Sequence, residues 1–242
     1  MPINKLRATP RATGAIAAIV AISVAGYATV FGYRVHDDVA LAVTAVTQPW
    51  EGRSLRAYLD TLPKKPVWTI CDGDTNNVRA GMVETPEGCN KRLMTKMESD
   101  YRPPLVKCIV SWDMQPLSWR AMMIDLAWNI GTGGACGSSA ARIVNEATSA
   151  KQKPDYIASC NAATAFNRAG GRVLIGLVNR REMGDSNRIG EGELCVSGIA
   201  GAAPASTPTA GAPSQIPAEP VDSPTKAPSY WHQLAHWIGS FF

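Results

Sequence analysis

Between residues 40 and 200 this 242-residue chain contains no histidine; its three, His36, His232 and His236, all lie outside that stretch. Zinc hydrolases and Cys–His nucleophile pairs generally rely on imidazole as ligand or base, and a Ser-His-Asp triad cannot be assembled without it. Those chemistries are excluded from the middle of the chain, and no metal or cofactor is expected there. Charge is absent elsewhere, with no Asp, Glu, Lys or Arg in the twenty-two residues from Ala12 to Tyr33. Cysteine is missing from that run too, since Cys71, Cys89, Cys108, Cys136, Cys160 and Cys195 all lie downstream. Nor is one sign of charge dominant: residues 40–200 hold nineteen basic and sixteen acidic side chains, a net charge of +3. That gives a weak long-range attraction to an anionic layer and no case for nucleic-acid binding. What is left for chemistry in this region is the carboxylate.

The carboxylates that stand out lie in Trp50-Glu51-Gly52-Arg53-Ser54-Leu55-Arg56-Ala57-Tyr58-Leu59-Asp60, followed by Val67-Trp68-Thr69-Ile70-Cys71-Asp72-Gly73-Asp74-Thr75. The pattern predicts Glu51 at a helix end, Asp60 beside the following strand and Thr69 on the returning strand of a hairpin. Two carboxylates and a hydroxyl converging on one cleft are the minimum equipment for glycosidic bond hydrolysis. The stretch resembles the phage-type lysozymes of glycoside hydrolase family 24, whose motif runs Glu-Gly, Ala-Tyr-x-Asp, a short turn, then Thr-Ile or Thr-Val and a Gly-rich corner. Two further blocks follow in family order. Leu126-Ala127-Trp128-Asn129-Ile130-Gly131 looks like the family's Asn-x-Gly helix end. Phe166-Asn167-Arg168-Ala169-Gly170-Gly171-Arg172, with Gly176-Leu177-Val178-Asn179-Arg180-Arg181, looks like its Gly-Leu-x-x-Arg-Arg helix.

The resemblance implies an α+β, lysozyme-like fold, with a small β-hairpin lobe and a larger helical lobe flanking a cleft. It implies a muramidase of the endolysin type, hydrolysing the β-1,4 bond between N-acetylmuramic acid and N-acetylglucosamine in peptidoglycan and lysing a host cell. Glu51 is then the general acid, partly desolvated so that it holds a proton, while Asp60 stays ionised. Thr69 positions the attacking water, Asn129 and Arg172 are candidate saccharide contacts, and Arg180 and Arg181 are assigned structural roles. A lytic transglycosylase, or a catalytically dead peptidoglycan-binding protein anchored to a membrane, are the alternatives. Two departures from the family pattern stand out. The turn Leu62-Pro63-Lys64-Lys65-Pro66 is longer than usual, and Gly73-Asp74-Thr75 replaces a common Gly-His-Thr whose His is a structural partner of another side chain.

Residues 12–34, preceded by Lys5, Arg7 and Arg11 in a basic 1–11 segment, are long enough to cross a hydrocarbon core of roughly 30 Å at about 1.5 Å per residue. The expectation is an N-terminal transmembrane helix that keeps residues 1–11 cytoplasmic and places the rest in the periplasm. The run resembles the signal-anchor-release segments of certain endolysins, which hold the enzyme at the host inner membrane and later release it. Ser23-Val24-Ala25 and Gly26-Tyr27-Ala28 leave a cleaved signal peptide open as the alternative. Six cysteines in an exported chain favour disulfides, with fifteen connectivities possible. A bridge at Cys71, two residues from Thr69, would brace the cleft wall. With no cysteine in the anchor, any control of a tethered enzyme is expected to be steric.

Residues 38–200 are read as the catalytic domain. Helices are predicted over Val39–Trp50, Glu87–Asp100, Ser118–Ile130, Ala140–Ala150, Tyr156–Phe166 and Leu174–Met183, with Pro103-Pro104 interrupting the path. Ser118 is the expected N-cap and Gly131 the stop of the third helix, and Met122, Met123 and Trp128 are expected in the core. Residues 201–229 form a linker rich in Pro, Ala, Ser and Thr. In 230–242, Trp231, Leu234, Ala235, Ile238 and Phe242 recur at helical spacing, a segment suited to docking on a membrane or a protein.

Overall fold

In the uncharged run, Thr9 caps a helix by accepting from the Ala12 amide, and Pro10 occupies its first turn, where a missing N–H costs nothing. This helix, α1 (Pro10–Ile22), ends at extended Ser23. The chain then forms an antiparallel hairpin, β1 (Tyr27–Val30) with β2 (Tyr33–His36). The computed structural model describes residues 2–61 and 65–200, so Leu62–Lys64, the 201–229 linker and the 230–242 segment lie outside the described residues. Among the described residues no helix is long and apolar enough to cross a membrane. The expected transmembrane helix is therefore not part of this fold. Residues 12–34 instead pack as helix and hairpin on the body of the protein, leaving Val20, Ile22, Val24 and Phe31 exposed at 56%, 50%, 75% and 47%.

The basic segment before α1 is held by acids from the far end of the chain. Glu182 accepts from the Ile3 and Asn4 amides at 2.7 and 2.6 Å, and Glu193 pairs with Arg11 at 2.7 Å. Gly192 makes this docking possible: a Cβ there would lie 2.8 Å from Leu6 and 2.9 Å from the Arg181 carbonyl.

Next, α2 (Asp37–Ala42) passes through a π-helical turn (Val43–Thr47) into a last turn, α3 (Gln48–Trp50). Buried Asp38 anchors this unit by accepting from Arg102, Trp112 and Arg120. β3 (Ser54–Asp60) and β4 (Val67–Cys71) make the second hairpin, with Tyr58 opposite Thr69 and Asp60 opposite Val67. It has a small core of its own, Ile70, Cys71 and Cys89.

α4 (Pro86–Lys96) continues through a π-turn (Met97–Tyr101) into α5 (Arg102–Cys108). Pro103 and Pro104 do not break the path; they sit in the first turn of α5, where their missing N–H groups have no helical partner to lose. The central element, α6 (Leu117–Cys136), is two helical segments joined at a kink: the first stops as expected at Gly131, whose φ +79° and ψ 155° are not helical, and the second follows it. Ser118 is not its cap: the hydroxyl bonds the Cys195 carbonyl, and Pro116 occupies the cap position.

α7 (Ser139–Ser149), α8 (Tyr156–Ala163), a two-residue hairpin of β5 (Arg168–Ala169) and β6 (Arg172–Val173), α9 (Ile175–Arg181) and α10 (Glu191–Ala200) complete an α+β fold. Met122, Met123, Ile124 and Leu126 of α6 are fully buried in the main core with Leu41, Trp50 and Trp119. Three disulfides cross-link the elements: Cys71–Cys89 joins β4 to α4, Cys108–Cys136 joins α5 to the end of α6, and Cys160–Cys195 joins α8 to α10.

Candidate active site

Glu51 leaves α3 as its C-cap, with extended backbone (φ −81°, ψ 134°), and is 7% exposed. Its carboxylate oxygen Oε1 accepts from Trp128 Nε1 at 3.1 Å and from Arg180 Nη1 at 2.7 Å. The partners come from α6 and α9, so three elements distant in sequence meet at one oxygen. Asp60 ends β3 at 2% exposure, and Thr69 is fully buried on β4. Tyr58 lies on β3 with Asp60 and feels the charge of both acids. Burial, reinforced by the negative charge of Asp60 and of Glu51, raises its phenol above the ordinary value. Tyr101 is pushed up to about 12 by burial and by the charges of Asp100, Glu51 and Asp74.

Arg180 was expected to be structural and is instead in direct contact with Glu51. It is 4% exposed, and its Nη2 also donates to Asp125 at 2.9 Å. Burial opposes its charge, but the surrounding Asp125, Glu51 and Glu191 more than reverse that and raise the guanidinium above its ordinary value. Trp128, expected in the core, reaches the site by its indole N–H, with Lys96 Nζ 5.6 Å from its ring centroid. Asn129 is 3% exposed and donates to the Asp125 carbonyl of its own helix at 2.8 Å. Arg172 is exposed on β6. Among the described residues no group of three or more His, Cys, Asp or Glu is placed to hold a metal.

The corner after β4 explains how the chain does without the usual His. Asp74 takes its place and pairs with two cations from α4, Arg92 at 2.8 Å and Lys96 at 2.9 Å. Burial pushes this carboxyl up, but hydrogen bonds from Lys96, the Asn76 backbone and Arg92 outweigh it and hold it below its ordinary value. A depressed folded-state value means stability that is present above the unfolded value and lost as pH falls through the folded one. Asp74→Asn is therefore expected to lower the melting temperature at pH 7, with the gap from wild type closing below about pH 4. Thermal scans across pH check this.

The phage lysozyme family model matches residues 48–184, which include Glu51, Asp60, Thr69 and Arg180. The chain belongs to the phage lysozyme family. It is also 36% identical over 129 residues to the SAR-endolysin of Haemophilus phage HP1 (strain HP1c1), covering 52% of this chain and 68% of that protein. Solved structures with a similar chain path include the active form of the P1 phage endolysin Lyz, at TM-score 0.49 and 17% identity over 80% of this chain and 97% of that one. The endolysin of Escherichia coli O157:H7 phage FAHEc1 gives 0.49 and 18% over 80% and 95%. The muramidase domain of SpmX from Asticaccaulis excentricus gives 0.48 and 16% over 79% and 99%.

Within this phage lysozyme, Arg180 was missed at the sequence level because nothing local separates it from Arg181. Its neighbour Arg181 donates to the Phe166 carbonyl at 3.1 Å and pairs with Glu191. Arg180→Met would leave Glu51 and Asp125 buried without their shared cation. The expected cost is about 3–5 kcal/mol of folding stability, measured by urea denaturation.

Proposed function

We propose that this protein is an endolysin that hydrolyses the β-1,4 bond between N-acetylmuramic acid and N-acetylglucosamine in peptidoglycan. The observation that carries the reading is buried Glu51, held at the end of α3 by the Trp128 indole and Arg180. In this reading Glu51 gives its proton to the glycosidic oxygen as the bond to the anomeric carbon breaks. Asp60 and Thr69 orient a water that supplies the new hydroxyl, and Asp60 takes up the proton it releases. Asn129 and Arg172 are the proposed saccharide contacts, Arg172 being the one open to solvent. Membership of the phage lysozyme family supports the same substrate class.

For the N-terminus, we infer an earlier state in which residues 12–34 sit in the host inner membrane, followed by the docked state described above. The uncharged run, its exposed Val20, Ile22, Val24 and Phe31, and the resemblance to a protein named SAR-endolysin support this. In the docked state the enzyme is free in the periplasm. Recovery of the chain only in soluble fractions at every stage of expression would overturn it.

The function is tested by digesting purified peptidoglycan with the oxidised full chain and weighing the products. Reducing N-acetylmuramic acid ends support a muramidase. Anhydro ends would mean a lytic transglycosylase, and intact glycan that still binds the protein would mean a binding module.

A further inference from the structure

The docked N-terminal run leaves an uncharged groove on the surface. α1, the β1–β2 hairpin and the π-helical turn Val43–Thr47 border a volume of about 480 Å³, lined by buried Ile19 and Ala45, by Ala15 and Ala18, and by the exposed Ile22 and Phe31. Ordinary binding pockets occupy roughly 300–1,000 Å³. Phe31 stands there against local preference. Val30 pairs with Tyr33, so Phe31 and Gly32 make a two-residue turn, with φ +51° and +81°. Turns of this kind favour Asn, Asp or Gly, because in the left-handed region a Cβ crowds the backbone. An aromatic ring gains nothing from the turn itself and marks the groove as a contact surface.

The chain supplies an occupant of its own in residues 230–242, which lie outside the described residues. The last described residue, Ala200, ends α10 beside α1: a Cβ on Gly198 would lie 3.2 Å from Ile16 Cδ1, and Ile16 is one turn from Ile19 of the groove. Residues 201–229 span up to about 90 Å at about 3.1 Å per residue, against about 9 Å along the helix from Ile16 to Ile22. Reach sets no limit. Such a tether keeps the segment near the groove at an effective concentration on the order of a millimolar, which a second copy at micromolar concentration does not match.

The chemistry of the segment fits the groove. Trp231, Leu234, Ala235, Ile238 and Phe242 follow the i, i+3, i+4, i+7 and i+11 spacing of a helix laid in an apolar groove. Residues 227–242 contain no Asp, Glu, Lys or Arg, so no ion loses its water on docking. A helix that binds a lipid surface is rich in Lys and Arg on its polar side, whereas here that side holds His232, Gln233, His236 and Ser240.

We propose that residues 230–242 dock in the groove between α1 and the β1–β2 hairpin and hold the N-terminal run against the body of the protein. α1 and the hairpin supply most of the lining, so the groove exists only while residues 12–34 are docked. A segment that binds one of two states draws the molecule toward that state. In the proposed succession of membrane and docked states, the tail therefore opposes a return to the membrane. The docking itself does not depend on the muramidase reading.

The test places a photoreactive benzoyl group on the Phe31 ring of the oxidised full chain, with a second variant carrying benzoylphenylalanine in place of Ile22, both irradiated at micromolar concentration. Trypsin cuts after Lys226, so the segment is weighed as residues 227–242. The expected result is a cross-link from the groove to 227–242 within one chain, reduced roughly tenfold when Trp231→Ser and Ile238→Ser remove two apolar anchors. Cross-links found only in covalent dimers would give the groove to a second copy. That outcome, or labelling that misses 227–242 altogether, overturns the proposal.

Flotation with vesicles of phosphatidylethanolamine and phosphatidylglycerol separates the tail as a cover from the tail as a membrane anchor by the sign of the effect. A tail that covers the groove shields it from lipid, so the same double substitution increases vesicle binding. A tail that inserts into lipid gives a decrease, and a decrease or no change overturns the proposal. Both readouts stand whether or not the chain turns over peptidoglycan.

Discussion

Glu51→Gln is expected to lower release of reducing ends from peptidoglycan by about a thousandfold or more while leaving the protein folded. The amide is the same size, still accepts from Trp128 Nε1 and Arg180 Nη1 through its oxygen, and has no proton to give a leaving alkoxide. Arg180 keeps its ion pair with Asp125, so the buried cation retains a counter-charge. The measurement is reducing-sugar release beside the thermal midpoint of both proteins. A retained midpoint with lost turnover isolates the chemistry; retained turnover would remove Glu51 from the reaction.

Reduction of the three disulfides is expected to lower the thermal midpoint by roughly 20 °C or more. The bridges span 18, 28 and 35 residues, and each restrains the unfolded chain by about 3–4 kcal/mol on loop-closure arguments. They cover different parts of the molecule, so their effects should largely add. Cys71–Cys89 has the most local consequence. It joins the strand carrying Thr69 to α4, whose Arg92 and Lys96 hold Asp74. Among the described residues, the buried apolar core of its lobe is Ile70 and the two half-cystines. Calorimetry with and without reductant, followed by stepwise alkylation, would show whether this lobe loosens before the helical lobe.

Much of the fold could be read from residue order because its signals are local. Pairing between Tyr58 and Thr69 follows from apolar runs with a turn between them, and α4 follows from Thr85 and Pro86 at its start. Gly131 stops the first segment of α6 by its positive φ, and a second segment resumes beyond the kink. The main error has a local cause as well. Hydropathy made residues 12–34 a membrane span. In the fold, Ile16 and Ile19 of that run face inward and the acids of 182–193 hold the basic flank, so much of the same apolar surface is satisfied by protein instead of lipid.

The sequence by itself determined the chemistry available: no imidazole between residues 40 and 200, two carboxylates and a hydroxyl at hairpin spacing, and six cysteines whose even count favours disulfides. Such features are composition and short-range pattern, and they hold whatever the rest of the chain does. Only the tertiary structure decided what surrounds the acid. Trp128 and Arg180 lie 77 and 129 positions from Glu51, and Asp125 and Glu191 reach Arg180 from different helices. A charge buried away from water is governed by whichever groups the packing brings within a few ångströms, and no local pattern records that distance.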